Sequence, residues 1–228
     1  MFIWLHGMEL GRIPMTDSGP VLVMEGLLQL ANRLDLHLCS QGVDILRKHV
    51  STLWVWNRKM NLVGDLSVES AISRHYGESL FLASFLKDFD EIVDYGSGAG
   101  FPGVGVAAAF PASRLTLLEA RQKRAAFLRE AFRGSSHVSV RCVEASQYLE
   151  PVKAVVSRAV NIEELVAFAA AREAALFLLV GGPDARSWRE RILSKGGRCD
   201  VSPVPWRAES FVLCASSLEG WAGRRTRS

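Results

Sequence analysis

The chain has 228 residues, 49% of them hydrophobic and 22% charged, with a formal net charge of +3 and a pI near 8.8. That length and apolar content predict a globular protein with a sizeable core, built as one large domain or as a domain with an extension. The mildly basic balance permits a nucleic-acid partner without demanding one.

The chain opens on "MFIWLHGMEL", apolar but without a basic flank, and no signal peptide is expected there; Met8 and Met15 leave the start position open. Apolar residues then recur at helical spacing over Val21–Leu36, Val43–Leu62 and Val68–Leu86. Residues 1–88 therefore read as an N-terminal helical extension, with Trp54 and Trp56 in its core. At Glu91 the texture changes to short β-rich runs ("EIVDY", "RLTLLE", "VSVRCV", "AVVSR", "ALFLLV") alternating with helical stretches. Such alternation predicts βαβ units and a mostly parallel sheet. Two further runs, "RCDVSPV" and "SFVLCAS", lack a helix between them and predict a closing hairpin, which makes seven strands in a domain over 89–218. A basic tail, 219–228, ends in "GRRTRS".

Cys39, Cys142, Cys199 and Cys214 form no C-x-x-C pair, and three of them lie in apolar runs. Free buried thiols in a reducing cytosol are expected, with no metal site. No apolar run reaches the length of a membrane span, so a soluble, cytoplasmic protein away from membranes is expected.

The segment "VDYGSGAGFPGVG" directly follows the first strand. In an open α/β sheet this first βα turn is the usual ligand contact. Its glycines, Gly96, Gly98 and Gly100, are spaced G-x-G-x-G behind Asp94, which does not fit the G-x-G-x-x-G of dinucleotide sites, and no Lys-Ser/Thr pair marks a P-loop. The pattern D-x-G-x-G-x-G resembles the S-adenosylmethionine loop of class I methyltransferases. A ribose also needs a carboxylate roughly 20 residues after the loop at a strand end, and "LTLLEA" supplies Glu119 there.

More specifically, "WNRKMNLVG", "SRHYGESL", "IVDYGSGAGFPGVGVA", "LTLLEARQKRAAFLRE" and "VVSRAV" resemble, in order and spacing, the GidB/RsmG family of bacterial 16S ribosomal RNA guanine-N7 methyltransferases, from about Trp56 through Val160. The resemblance implies a Rossmann-like class I fold with an N-terminal helical extension, S-adenosylmethionine as methyl donor, and small-subunit ribosomal RNA or the assembled subunit as partner. It places Gly96 and Phe101 on the methionine side, Glu119, Ala120 and Arg121 beside the ribose, Ala145 and Ser146 beside the adenine, and Arg158 on the cofactor or substrate side. His75 and Ser79 would face the pocket. The chain departs from the family pattern in three ways. The acid of the adenine pair is missing, with Glu144 one place earlier; Gly181 stands where a lysine is usual; Glu209 and Ser210 replace an arginine-histidine pair.

Guanine N7 carries an unshared lone pair, so its methylation needs placement rather than a general base, and no catalytic base is expected. Neither an Asn/Asp-Pro-Pro-Tyr/Phe tetrad nor a cysteine nucleophile follows the fourth strand; Ser157 reads as a satisfied hydroxyl. Arg158 reads as a site residue in preference to an interior strand arginine paired with a carboxylate such as Asp94, because burial without such a partner is costly, and Arg74 could pair with Glu78 four residues on. Short basic clusters at 46–49, 57–59, 121–124 and 223–227 suit docking on a prefolded RNA or a ribosomal particle. Two rival readings stay open: a methyltransferase with a small-molecule or protein acceptor, and a non-catalytic S-adenosylmethionine-binding protein. A nicotinamide-dependent oxidoreductase ranks last on glycine spacing. A monomer is the default expectation for the oligomeric state.

Overall fold

The helical spacing near the N-terminus folds as read, in the computed structural model that describes residues 18–221. Helix α1 (Gly19–Arg33) carries Pro20 in its first turn, which its fixed φ suits, and buries Val23, Met24, Leu27 and Ala31. Helix α2 (Ser40–Met60) buries the stripe Ile45, Leu46, His49, Val50, Leu53 and Trp54 and stops at Asn61, which is left-handed with φ 47°. Trp54 is core, whereas Trp56 is only partly buried and packs edge-on against Phe127.

The third helical stretch is not uniform. It comprises α3 (Val68–Ser70), capped by the Ser67 hydroxyl, a π-helical turn (Ala71–Tyr76), and α4 (Gly77–Ala83), which ends before the expected Leu86. Single π turns are rare and concentrate at functional sites.

Strands β1 (Glu91–Tyr95), β2 (Arg114–Leu118), β3 (Val138–Arg141), β4 (Ala154–Arg158) and β5 (Ala175–Gly181) run parallel, and β6 (Arg198–Pro203) and β7 (Ser210–Ser216) close the sheet as an antiparallel hairpin. The order is β3-β2-β1-β4-β5-β7-β6. The hairpin inserts its second strand beside β5, because "SFVLCAS" is apolar enough for an inner position. By contrast "RCDVSP", with Arg198, Asp200 and Pro203, suits an edge.

Helices α1, α2, α4, α5 (Gly103–Ala109) and α6 (Gln122–Ala131) share one apolar cluster with Ile92, Leu115, Leu117, Val156 and Leu179 of the sheet. Helices α7 (Ile162–Ala170) and α8 (Gly182–Ser194) cover Val155, Leu176, Leu178 and Leu213 on the opposite face. Between β3 and β4 the chain makes only a 3-10 turn, Ala145–Gln147. Backbones touch where helices cross: a Cβ on Gly42 would lie 2.1 Å from the Ala108 carbonyl oxygen, and one on Gly105 2.5 Å from the Ser79 backbone.

Of the four cysteines only Cys199 is buried; Cys39, Cys142 and Cys214 are half-buried, against the expectation of buried thiols. No helix among the described residues is long and apolar enough to cross a membrane. The basic run 223–227 and the alternative starts lie outside the described residues.

Candidate active site at the strand-order switch

Strand order reverses between β1 and β4, so the crevice beyond their carboxyl ends is where an open α/β sheet takes a ligand. Asp94, next to last in β1, is completely buried. Its Oδ2 accepts the Gly103 N–H at 3.0 Å, tying the loop to the start of α5, while Oδ1 has no partner. Burial, opposed by that hydrogen bond, pushes its pKa up to about 7.

The loop glycines divide by what they face. All three have positive φ, +70° at Gly96, +57° at Gly98 and +85° at Gly100. A Cβ on Gly98 would meet only ordinary van der Waals contacts, Arg124 Nη1 at 3.7 Å and the Gly96 carbonyl oxygen at 3.8 Å. On Gly96 it would touch Val160 at 2.8 Å. On Gly100 it would strike His49 Nε2 at 2.6 Å, so Gly100 serves the packing of α2 rather than the crevice.

His49 is itself sealed: its Nε2–H donates to the Ala99 carbonyl at 3.0 Å, and its Nδ1 accepts from the Tyr76 hydroxyl at 2.8 Å. Burial lowers its pKa to about 3, which keeps the ring neutral. A lone apolar-stripe histidine thus turns out to be the support beneath the loop.

Glu119 ends β2 as expected, and it is buried. Its Oε2 accepts the Gly98 N–H at 2.9 Å and its Oε1 the Arg121 N–H at 2.8 Å, which joins the glycine loop to the start of α6. Each carboxylate oxygen keeps a second acceptor direction. Ala120 and Arg121 are exposed just beyond it. Ala145, half-buried, and Ser146, exposed, lie on the 3-10 turn after β3.

Arg158 at the end of β4 meets neither of the pairings weighed from the sequence. Its carboxylate partner is Glu78 of α4, not Asp94: Nη1 lies 3.5 Å from Glu78 Oε2 and donates to the Arg74 carbonyl at 3.2 Å. Glu78 in turn leaves Arg74 for a second guanidinium, with Arg207 Nε 2.8 Å from its Oε1. The helical spacing of Arg74 and Glu78 is real, but the π turn and the burial of Glu78 aim the carboxylate inward.

His75 completes the group. Its Nε2–H donates to the Asp65 carbonyl at 2.7 Å, so Nδ1 is free to accept from Arg158 Nη2 at 3.3 Å. Burial first, then the Arg158 charge, lowers its pKa to about 4. Phe101 stacks on His75 with ring centroids 5.3 Å apart and lies 5.2 Å below the Arg158 guanidinium. Ser79 donates to the His75 carbonyl at 2.6 Å and is part of this support. Ser157, as expected, is satisfied by the Tyr95 carbonyl at 2.7 Å.

Asp94, Gly96, Gly98, Phe101, Glu119 and Arg158 thus gather at the carboxyl ends of β1, β2 and β4. Glu78, Arg124, Arg207 and His49 were missed by sequence reasoning. Glu78 lay inside the motif "SRHYGES" already singled out; Arg207 carried no local signal.

This sheet order and site place the chain in the Rossmann-like fold of class I methyltransferases. The METTL16 methyltransferase domain superposes with a TM-score of 0.53 at 11% identity, over 84% of this chain and 92% of that one. The precorrin-6y C5,15-methyltransferase of Geobacter metallireducens does so at 0.50 and 16% identity, over 60% of this chain and 87% of that one. Within the fold, the chain belongs to the GidB family, described as rRNA small subunit methyltransferase G, whose pattern matches residues 43–187. It is 41% identical over 127 residues to the ribosomal RNA small subunit methyltransferase G of Nitrosomonas europaea, covering 54% of this chain and 57% of that one. To the protein of that name from Hyphomonas neptunium it is 35% identical over 160 residues, covering 67% and 74%. The match to the Caldanaerobacter subterraneus protein, at 37% identity, covers 46% and 45%, so the chain spans about half the length of some curated relatives.

Proposed function

We propose that this protein transfers a methyl group from S-adenosylmethionine to N7 of a guanine in small-subunit ribosomal RNA. The observation that carries the reading is the glycine loop whose Gly98 N–H is held by Glu119 at the strand-order switch of a GidB-family chain. The residues present fit the cofactor. The backbone at Gly96 and Gly98 would take its aminoacyl end, with the unpartnered Asp94 oxygen beneath a cationic ligand. Glu119 would accept from the ribose hydroxyls with its spare lone pairs. Ala120 and Arg121 would flank the ribose, Ala145 and Ser146 the adenine.

When bound, S-adenosylmethionine supplies an electrophilic methyl group on a sulfonium. Transfer of that group to the guanine N7 lone pair would need no proton moved, so the chain's contribution would be placement; holding two reactants in line is worth up to about 7–11 kcal/mol. Arg158, held by Glu78, His75 and the Arg74 carbonyl, offers its remaining N–H groups to the cofactor carboxylate or to the acceptor. The exposed basic residues Arg47, Arg121 and Lys123 would provide salt-dependent attraction to RNA.

The test is transfer of labelled methyl groups to small ribosomal subunits, or to their RNA, from cells lacking this protein, followed by digestion. Label on guanine N7 is the expected result. Intact cofactor binding without label would move the assignment to another acceptor or to a binding protein.

A further inference from the structure

The guanidinium groups of Arg158 and Arg207 share one carboxylate. Glu78 is nearly sealed, its side chain 6% exposed, whereas Arg207 is 34% exposed. Arg207 places its Nε 2.8 Å from Glu78 Oε1, an ion-pair contact without hydrogen-bond geometry, and among the described residues no ion pair or hydrogen bond engages its two Nη groups. Arg74 adds a third, exposed guanidinium on the π turn, and His75 is neutral at physiological pH. Among the described residues Arg158 and Arg207 share Glu78 as their ion-pair partner and Arg74 forms no ion pair, so three guanidinium groups gather around one carboxylate.

The segment carrying Arg207 is held in place. It joins the end of β6 to the start of β7, where Ser210 pairs with Gly181, the last residue of β5. Arg207 therefore stands at the carboxyl edge of the sheet, the edge that also carries the glycine loop and Arg158. Trp206 anchors the turn: its Nε1–H donates to the Ser73 carbonyl at 2.7 Å, and its ring lies edge-on to Phe81 at 5.8 Å. A guanidinium whose Nε lies against a carboxylate and whose Nη groups are open presents paired donors that match a phosphate.

We propose that Arg207 binds a backbone phosphate of the acceptor RNA beside the target guanine. This deepens the methyltransferase reading above and rests on it. Arg207 thus restores, from a neighbouring position, positive charge that Gly181, Glu209 and Ser210 do not supply at this edge.

The experiment measures methyl transfer to small subunits from cells lacking this protein, across a salt series, for the wild type, Arg207→Gln, Arg207→Lys and the double variant Glu78→Gln with Arg207→Gln. Affinity for S-adenosylmethionine and the melting temperature are measured alongside. Arg207→Gln is expected to raise KM for subunits roughly tenfold, the lower end for losing one charged hydrogen bond. It should also reduce the log–log salt slope by about one, with kcat and cofactor affinity unchanged. Arg207→Lys should keep the salt slope, and the double variant should remain as weak as Arg207→Gln.

A wild-type KM and slope in Arg207→Gln overturns the proposal. So does recovery in the double variant, because Arg207 would then act only by balancing Glu78 against Arg158. Loss of kcat or cofactor affinity in Arg207→Gln also overturns it, in favour of a supporting role. If the wild type itself transfers no methyl group to subunits, the parent reading fails, and this one with it.

Discussion

At the scale of single residues, two loop glycines that look alike in sequence do different work. Gly98→Ala adds a methyl group to the ligand-facing loop without a clash and forces an L residue into the left-handed region, a strain of about 1–2 kcal/mol. Gly100→Ala carries the same strain and also strikes the His49 ring, adding about 1–3 kcal/mol of overpacking. Calorimetry should therefore show the larger fall in Tm for Gly100→Ala, while titration with S-adenosylmethionine shows the binding loss in Gly98→Ala. Asp94 yields a second expectation. Its raised pKa means that the folded state holds a proton the unfolded chain has lost, between pH 3.8 and about 7, so its contribution to stability falls as pH rises through that window. Asp94→Asn should gain about 2–3 kcal/mol relative to wild type on going from pH 5 to pH 8 in urea titrations, and should lose affinity for a cationic ligand. Glycine spacing and the acid before it were legible in the sequence. The division between Gly98 and Gly100 was not, since it depends on a histidine 51 residues away that α2 brings to the loop.

At the scale of elements, helix crossings set the tolerance of the layer that carries the loop. Gly42 and Gly105 bring α2 and α4 into backbone contact with α5, whose first residue holds Asp94. Because the obstacle is backbone rather than a movable side chain, either glycine changed to alanine should cost about 1–3 kcal/mol or more, read as a lower urea midpoint with an unchanged m-value. The periodicity of 68–86 predicted an unbroken helix, and the apolar face formed. The π turn within it was illegible, because its hydrogen-bonded partners, Arg158 and Trp206, lie on β4 and on the β6–β7 turn. Trp206→Phe keeps the ring and removes its bond to Ser73, at a cost of about 1 kcal/mol. Amide exchange should quicken over 71–76 and 204–209 together and leave α7 unchanged, which would establish that the two segments are one unit.

For the whole molecule, buried titratable groups define a pH profile. His49 and His75 have folded pKa values lowered to about 3 and 4, so between about pH 4 and 6.5 the unfolded chain binds nearly two more protons at them. Asp94 opposes this with one proton held in the folded state. The net is one proton, so stability should rise by about 1.4 kcal/mol per pH unit across that window and reach its maximum near pH 6.5. In His75→Gln the remaining two contributions cancel and the slope should fall to near zero, as measured by urea unfolding at several pH values.

The sequence by itself determined the succession of helices and strands, the glycine loop after β1 and the acid ending β2. Periodicity and short spacings encode contacts within a turn, a strand or one βα unit. Tertiary structure alone decided that β7 lies inside β6, that Arg158 pairs with Glu78 across 80 residues, and that Trp206 reaches Ser73 across 133. Burying a charge demands a partner, but it does not specify where in the chain that partner lies. The choice falls to whichever carboxylate the packed helices bring to the crevice, here one from the helical segment before the first strand.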